Sequence, residues 1–219
     1  MRRVGFFGGS FDPPHRGHLE PVRFAAEALG LDAVVFVPAG SPPHKQGEPM
    51  TSFTHRFAMT VLATRHEPGF FVSDLETARQ GPTFTIDSIP LLCQEWPSQQ
   101  AFFLMGSDSF AQITTWHRWE ELVDLIHVVV LHRDDTWGAA MLEAVPDWVA
   151  ARALRVEPGR RLALAEPGPR RVVMVEHPPV AARATDVRAR LRAGESVGDL
   201  VPPEVLDHIL KYRLYRQGA

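Results

Sequence analysis

"RRVGFFGGSFDPPHRGH", residues 2–18, is the stretch whose reading decides the fold. An apolar run at 4–7 ends in Gly8 and Gly9, and a helix-like segment follows within the same turn of chain. A strand that passes through glycines into a helix is suited to phosphate. Glycine lets backbone approach a ligand, and a helix N-terminus offers unpaired N–H groups at the positive end of its dipole. Gly8 and Gly9 stand where that approach would occur. Pro13 and Pro14 stiffen the turn, and Gly17 permits a tight lead into a helix expected to begin near His18. Neither G-x-x-x-x-G-K-[ST] nor G-x-G-x-x-G is present, so the familiar nucleotide loops are excluded.

His15 and His18 are the informative pair. A three-residue spacing across a helix start can aim both imidazoles at one small region. They read in three ways: a cap and a surface histidine, a metal pair, or donors to phosphate oxygens in a transition state. No further His, Cys or carboxylate set stands at ligand spacing, which weakens the metal reading. The glycines just before the pair favour the phosphate reading.

Working outward, apolar runs alternate with helical patterns. Residues 4–7, 33–38, 101–106, 127–132 and 171–176 read as buried strands, with 70–76 a sixth. They are β-branched or aromatic and nearly continuous, as parallel strands covered on both faces should be. Helices are expected over 18–30, ending at Gly30, over 51–66 with Thr51 or Ser52 as N-cap, and over 83–96, 116–125 and 139–154. Pro90 and Pro146 should bend or interrupt two of them. Residues 156–171 read as a surface insertion, and 185–194 and 202–215 as closing helices. The alternation predicts an α/β fold, a doubly wound parallel sheet with helices on both faces and a small C-terminal helical part. One domain spans 1–219, with a core over 1–182 and helices over 183–219. Ligands in such sheets sit at the carboxyl ends of strands where the winding reverses.

The bulk numbers agree with a globular chain: 219 residues, 45% hydrophobic and 22% charged. A net charge of -3 gives no basic surface for nucleic acid or membrane. The single cysteine, Cys93, excludes a disulfide within the chain and reads as a small core residue. No signal peptide or membrane-length apolar run is present, so a cytoplasmic protein is expected.

"GGSFDPPHRGH" matches the signature of the nucleotidyltransferases that carry the H-x-G-H motif, whose fold is Rossmann-like. More narrowly, the chain resembles the bacterial nicotinate-nucleotide adenylyltransferases. "PAGSPPHK" (38–45), "HRFAM" (55–59), "TFTIDSI" (83–89), "FLMGSDSF" (103–110), "TWHRWEEL" (115–122), "TDVR" (185–188) and "VLDHILKYRLY" (205–215) carry that resemblance in order. It implies transfer of AMP from ATP to nicotinate mononucleotide, giving deamido-NAD and pyrophosphate, with Mg²⁺ arriving as the ATP complex and no protein metal ligand.

The resemblance also implies roles. His18 would contact the α-phosphate and His15 the triphosphate. Ser10 would reach the α-phosphate region, beside Gly8, Gly9, Phe11 and Gly17. Lys45 and Arg188 would bind phosphates. Asp108 would accept from ribose hydroxyls or cap the next helix, and Gly106 would admit the nucleotide. Thr85 would offer its backbone N–H to the nicotinate carboxylate, and Trp116 would stack on the pyridine ring. Trp119, in an amphipathic segment, reads as core. Arg56 reads as structural or as lying near the mononucleotide. The family's "SST" before the late helix is here Arg183, Ala184 and Thr185, so only Thr185 survives. Three rivals stay open: an enzyme for nicotinamide mononucleotide, one for another phosphorylated acceptor, and a catalytically silent nucleotide sensor. Assembly into a homo-oligomer is left open.

Overall fold

The computed structural model describes residues 2–41, 50–78, 81–132, 139–157, 159–164 and 168–216. In chain order the elements are β1 (Arg3–Gly9), α1 (Arg16–Leu29), β2 (Ala33–Pro38), α2 (Phe53–Thr64), β3 (Phe70–Val72), α3 (Thr85–Glu95), β4 (Gln100–Gly106), α4 (Ser107–Phe110), α5 (Trp119–Leu125), β5 (His127–His132), α6 (Ala139–Glu143), α7 (Asp147–Ala150), β6 (Ala153–Val156), β7 (Val172–Glu176), α8 (Ala184–Ala193) and α9 (Pro203–Lys211).

The strands form one sheet in the order β3-β2-β1-β4-β5-β7-β6. The pairs β1–β4, β4–β5, β5–β7 and β6–β7 are parallel. Sequence order reverses between β1 and β4, as in a doubly wound α/β sheet, and that is where such sheets bind ligands. Every residue of β2 and β5 is buried, so successive side chains on opposite faces are both covered.

Several expectations need correction. The pattern over 139–154 is not one helix. Pro146 divides it, α6 and α7 are short, and 153–156 leave the helical path to pair with β7 as a seventh strand. The C-terminal helix stops at Lys211 rather than running to 215, and Tyr215 lies beyond it at φ 64°. Helix α1 begins at Arg16, before His18, because the His15 carbonyl already accepts the His18 N–H at 2.9 Å and the Leu19 N–H at 3.3 Å. Pro90 sits inside α3 without ending it. Ser52 takes the N-cap position of α2 but makes no side-chain cap bond. Cys93 is half-buried rather than core, and burial pushes its thiol up from the usual range.

Contacts divide the chain into two compact units. The first comprises residues 1–8, 21–35 and 84–179. Its core holds Phe102, Leu104, Val128, Val129, Val130, Val172 and Val173, each contributing about 1.5–3 kcal/mol by leaving water. The described part of 156–171 is mostly exposed, but it is tied down: Leu162 N donates to Ala28 O at 2.8 Å and Gln100 Nε2 to Leu164 O at 3.0 Å. The second unit comprises 9–20, 36–83 and 180–219. There α2 packs on β3 and on α9, burying Met59 and Ala63 of α2 and Val205 and Ile209 of α9. No helix among the described residues is long and apolar enough to cross a membrane.

Candidate active site

In the second unit the signature turn places its two histidines against each other. Their rings stack with centroids 3.7 Å apart and planes inclined by 28°. The His15 backbone N–H donates to His18 Nδ1 at 3.3 Å. That bond makes Nδ1 an acceptor, so neutral His18 carries its proton on Nε2 and can donate there. Phe11 meets the His18 ring edge-on at 5.1 Å. His15 is buried and His18 half-buried, so one ring is a fixed wall and the other is reachable.

The glycines divide their work. A Cβ at Gly9 would lie 2.9 Å from the Phe11 ring, so its bareness makes room for Phe11. A Cβ at Gly17 would lie 2.3 Å from the Ala182 carbonyl and 3.0 Å from the His15 ring. Gly17→Ala must therefore push backbone apart and displace His15. Overpacking of this kind costs about 1–3 kcal/mol. A fall in Tm with loss of activity is the expected result, and an unchanged melting curve would count against the contact.

Loop residues 10–12 are bound from three sides of the same unit. Arg56, buried, donates through Nε to Thr51 O at 2.9 Å and through Nη1 to Ser10 O at 2.8 Å, which makes it a structural residue of the turn. Burial lowers its guanidinium from the usual value, and Asp12, Tyr215 and Glu76 counter that. Arg188 Nη1 donates to Asp12 O at 2.7 Å, which brings it to the turn from 176 residues away. Thr185 is exposed in the first turn of α8, and Arg183, also exposed, holds the N-cap position without a side-chain cap bond. Lys45 lies outside the described residues.

In the first unit, a Cβ at Gly8 would only touch the Phe103 ring at 3.6 Å, and Phe103 meets Trp116 edge-on at 6.2 Å. Trp116 is half-buried and stands before α5, at the end of the short turn Ile113–Thr115, not inside a helix. Trp119 is not core: it is half-buried and stacks at 5.7 Å on Trp148, which is itself exposed. Thr85 is the first residue of α3, after an extended Phe84. His117 packs on Phe84 at 4.4 Å, and Arg118 reaches Asp87 at 3.5 Å. The segments carrying Thr85 and Trp116 are thus brought together. Asp108 is exposed in the first turn of α4, where Gly106, not Asp108, takes the N-cap position.

Gly106 has extended backbone and no atom within 4 Å of a built Cβ. Gly106→Ala should therefore leave Tm nearly unchanged. If nucleotide approaches there, KM for ATP should rise about tenfold, the scale of one intruding methyl group. An unchanged KM would remove Gly106 from the nucleotide site.

Asp12, Tyr215, His117 and Arg118 were missed as site residues. Asp12 stood in plain view inside the signature turn. Nothing in the local sequence marked Tyr215, because its partner lies 203 residues away.

A model of the cytidylyltransferase-like family matches residues 6–190. The chain is 38% identical over 218 residues to the probable nicotinate-nucleotide adenylyltransferase of Symbiobacterium thermophilum, covering 100% of this chain and 97% of that one. It is 37% identical over 217 residues to its namesake from Neisseria meningitidis serogroup B, covering 99% and 100%. Among solved structures, the Plasmodium falciparum nicotinic acid mononucleotide adenylyltransferase complexed with NaAD superposes with a TM-score of 0.71 at 19% identity, over 98% of each chain, a likeness of fold. Full-length relatives at these identities, together with the family match across most of the sequence, mean that the chain belongs to the nicotinate-nucleotide adenylyltransferase family of cytidylyltransferase-like proteins.

Proposed function

We infer that the protein transfers AMP from ATP to nicotinate mononucleotide, giving deamido-NAD and pyrophosphate in NAD biosynthesis. The observation that carries the chemistry is the His15–His18 pair, with the His15 N–H held on His18 Nδ1. A phosphate oxygen of the mononucleotide attacks the α-phosphorus of ATP. A new P–O bond forms as the bond to the β-phosphate oxygen breaks, and pyrophosphate leaves in line. No protein nucleophile is needed, so catalysis is positioning plus charge stabilisation. His18 Nε2–H donates to an α-phosphate oxygen as charge builds there. His15, Lys45 and Arg188 bind the remaining phosphates, with Ser10, Phe11, Gly8, Gly9, Gly17 and Thr185 around them. Asp108 and Gly106 serve the adenosine side, and Thr85 and Trp116 the nicotinate side.

Magnesium belongs to the substrate as Mg-ATP. Among the described residues no group of three or more His, Cys, Asp or Glu side chains is gathered for a metal. Such an ion keeps much of its water and takes ligands from the phosphates. The same reading makes the enzyme cytoplasmic. The test is direct: purified protein with Mg-ATP and nicotinate mononucleotide should release pyrophosphate and deamido-NAD in equal amounts. ATP turnover that does not depend on the mononucleotide, or no turnover at all, would sink the reading.

A further inference from the structure

Four donors from three distant stretches of the second unit converge on two residues of the signature turn, Ser10 and Asp12. Arg56 Nη1 donates to Ser10 O at 2.8 Å and Thr51 N to Asp12 Oδ2 at 3.2 Å. Arg188 Nη1 donates to Asp12 O at 2.7 Å, and the Tyr215 hydroxyl to Asp12 Oδ1 at 2.6 Å. Asp12 is buried, and both of its carboxylate oxygens and its carbonyl are used.

The turn needs this bracing. Phe11 sits at φ 48°, in the left-handed region that bulky residues rarely adopt, and such backbone persists only where its surroundings hold it. The bracing also decides which way the peptides point. The Ser10–Phe11 peptide is planar and trans, so tying back the Ser10 carbonyl turns the Phe11 N–H to the opposite side. Both pinned carbonyls, those of Ser10 and Asp12, carry negative ends that would repel a phosphate. Each is held on an arginine instead.

Tyr215 completes the set from the far end of the chain. It too lies at positive φ, 64°, beyond the end of α9, a conformation that its contact with Asp12 helps to hold. Burial, and next the Asp12 carboxylate, push its phenol well above the usual range, so it stays a donor across working pH.

We propose that Tyr215 is a positioning residue for the triphosphate: its hydroxyl holds the Asp12 carboxylate, and through Asp12 it keeps residues 10–12 in the shape that binds ATP. The nucleotide in this statement rests on the adenylyl-transfer reading above, but the bracing does not.

Tyr215→Phe keeps the ring and removes only the hydroxyl. Amide hydrogen exchange in residues 10–18, measured without nucleotide, should become about tenfold faster, and ATP should bind about tenfold more weakly by calorimetry, the scale of one lost hydrogen bond to a charged group. The affinity for nicotinate mononucleotide should stay within about twofold. In the Asp12→Ala background, Tyr215→Phe should have little further effect on ATP affinity, since coupled residues are not additive. Faster exchange with unchanged ATP affinity would make Tyr215 a structural residue and overturn the proposal. So would unchanged exchange, or equal weakening of both substrates with a fall in Tm. If Asp12→Ala does not fold, the single substitution decides. Wild-type protein that binds ATP but transfers nothing would refute the reaction and leave the exchange and affinity results to judge Tyr215. Wild-type protein that does not bind ATP would end both.

Discussion

His18→Ala is expected to lower kcat by about 10²–10³-fold, equivalent to about 3–4 kcal/mol of transition-state stabilisation, with KM for either substrate changed little. The argument begins with the tautomer. The His15 backbone N–H meets His18 Nδ1 at 3.3 Å, so the ring presents a proton at Nε2 before substrate arrives. Stacking on His15 at 3.7 Å and the Phe11 edge at 5.1 Å hold the plane of the ring. A donor fixed in this way costs no reorganisation when negative charge grows on the α-phosphate. Because His18 is half-buried, alanine there lets water reach the exposed His15 N–H, and Tm should fall only slightly. His15→Ala is a poorer probe, since His15 is buried and its loss opens a cavity. Steady-state rates and a melting curve decide the matter. An alanine variant within a few-fold of wild type would take His18 out of the mechanism.

Nicotinate mononucleotide should be preferred over its amide by about 10–100-fold in kcat/KM. Thr85 opens α3, an 11-residue helix whose first N–H groups and dipole favour an anion. A ring carboxylate accepts charge-assisted bonds there. The amide would turn its NH₂ toward one donor and leave that donor unpaired, which costs about 1–3 kcal/mol. Asp87, in the same first turn, would repel the carboxylate, but Arg118 faces it at 3.5 Å and offsets that charge. Thr85→Pro tests the backbone itself. Proline is well tolerated at the first position of a helix, and Phe84 before it is already extended, at φ -108° and ψ 138°, as a residue preceding proline must be. The substitution deletes one N–H and should leave the fold standing. The acid preference should then collapse toward parity. Equal rates for acid and amide in the unaltered protein would refute backbone recognition, whatever the proline variant does.

Much of this was legible in residue order because it is local chemistry. The runs at 4–7, 33–38, 101–106, 127–132 and 171–176 are nearly continuous and β-branched or aromatic, since each strand is covered on both faces, and each became a strand. The pairing of His15 and His18 was legible because a three-residue spacing across a helix start can bring two rings to one side, and they stack at 3.7 Å. The seventh strand escaped because residues 153–156 are short, only one of them is buried, and they are strand only by pairing with β7. Trp119 read as core because helical periodicity cannot say whether the facing surface is covered; it stacks on exposed Trp148 instead. The bracing of the signature turn was invisible for a different reason. Asp12 and Tyr215 are 203 residues apart, and Arg188 reaches Asp12 across 176. Residue order records the strand, the turn and the helix that follow one another. Which distant hydroxyl closes on the Asp12 carboxylate, and which guanidinium on its backbone carbonyl, depends on how α2, α8 and α9 pack within their own unit, and only the folded chain decides that.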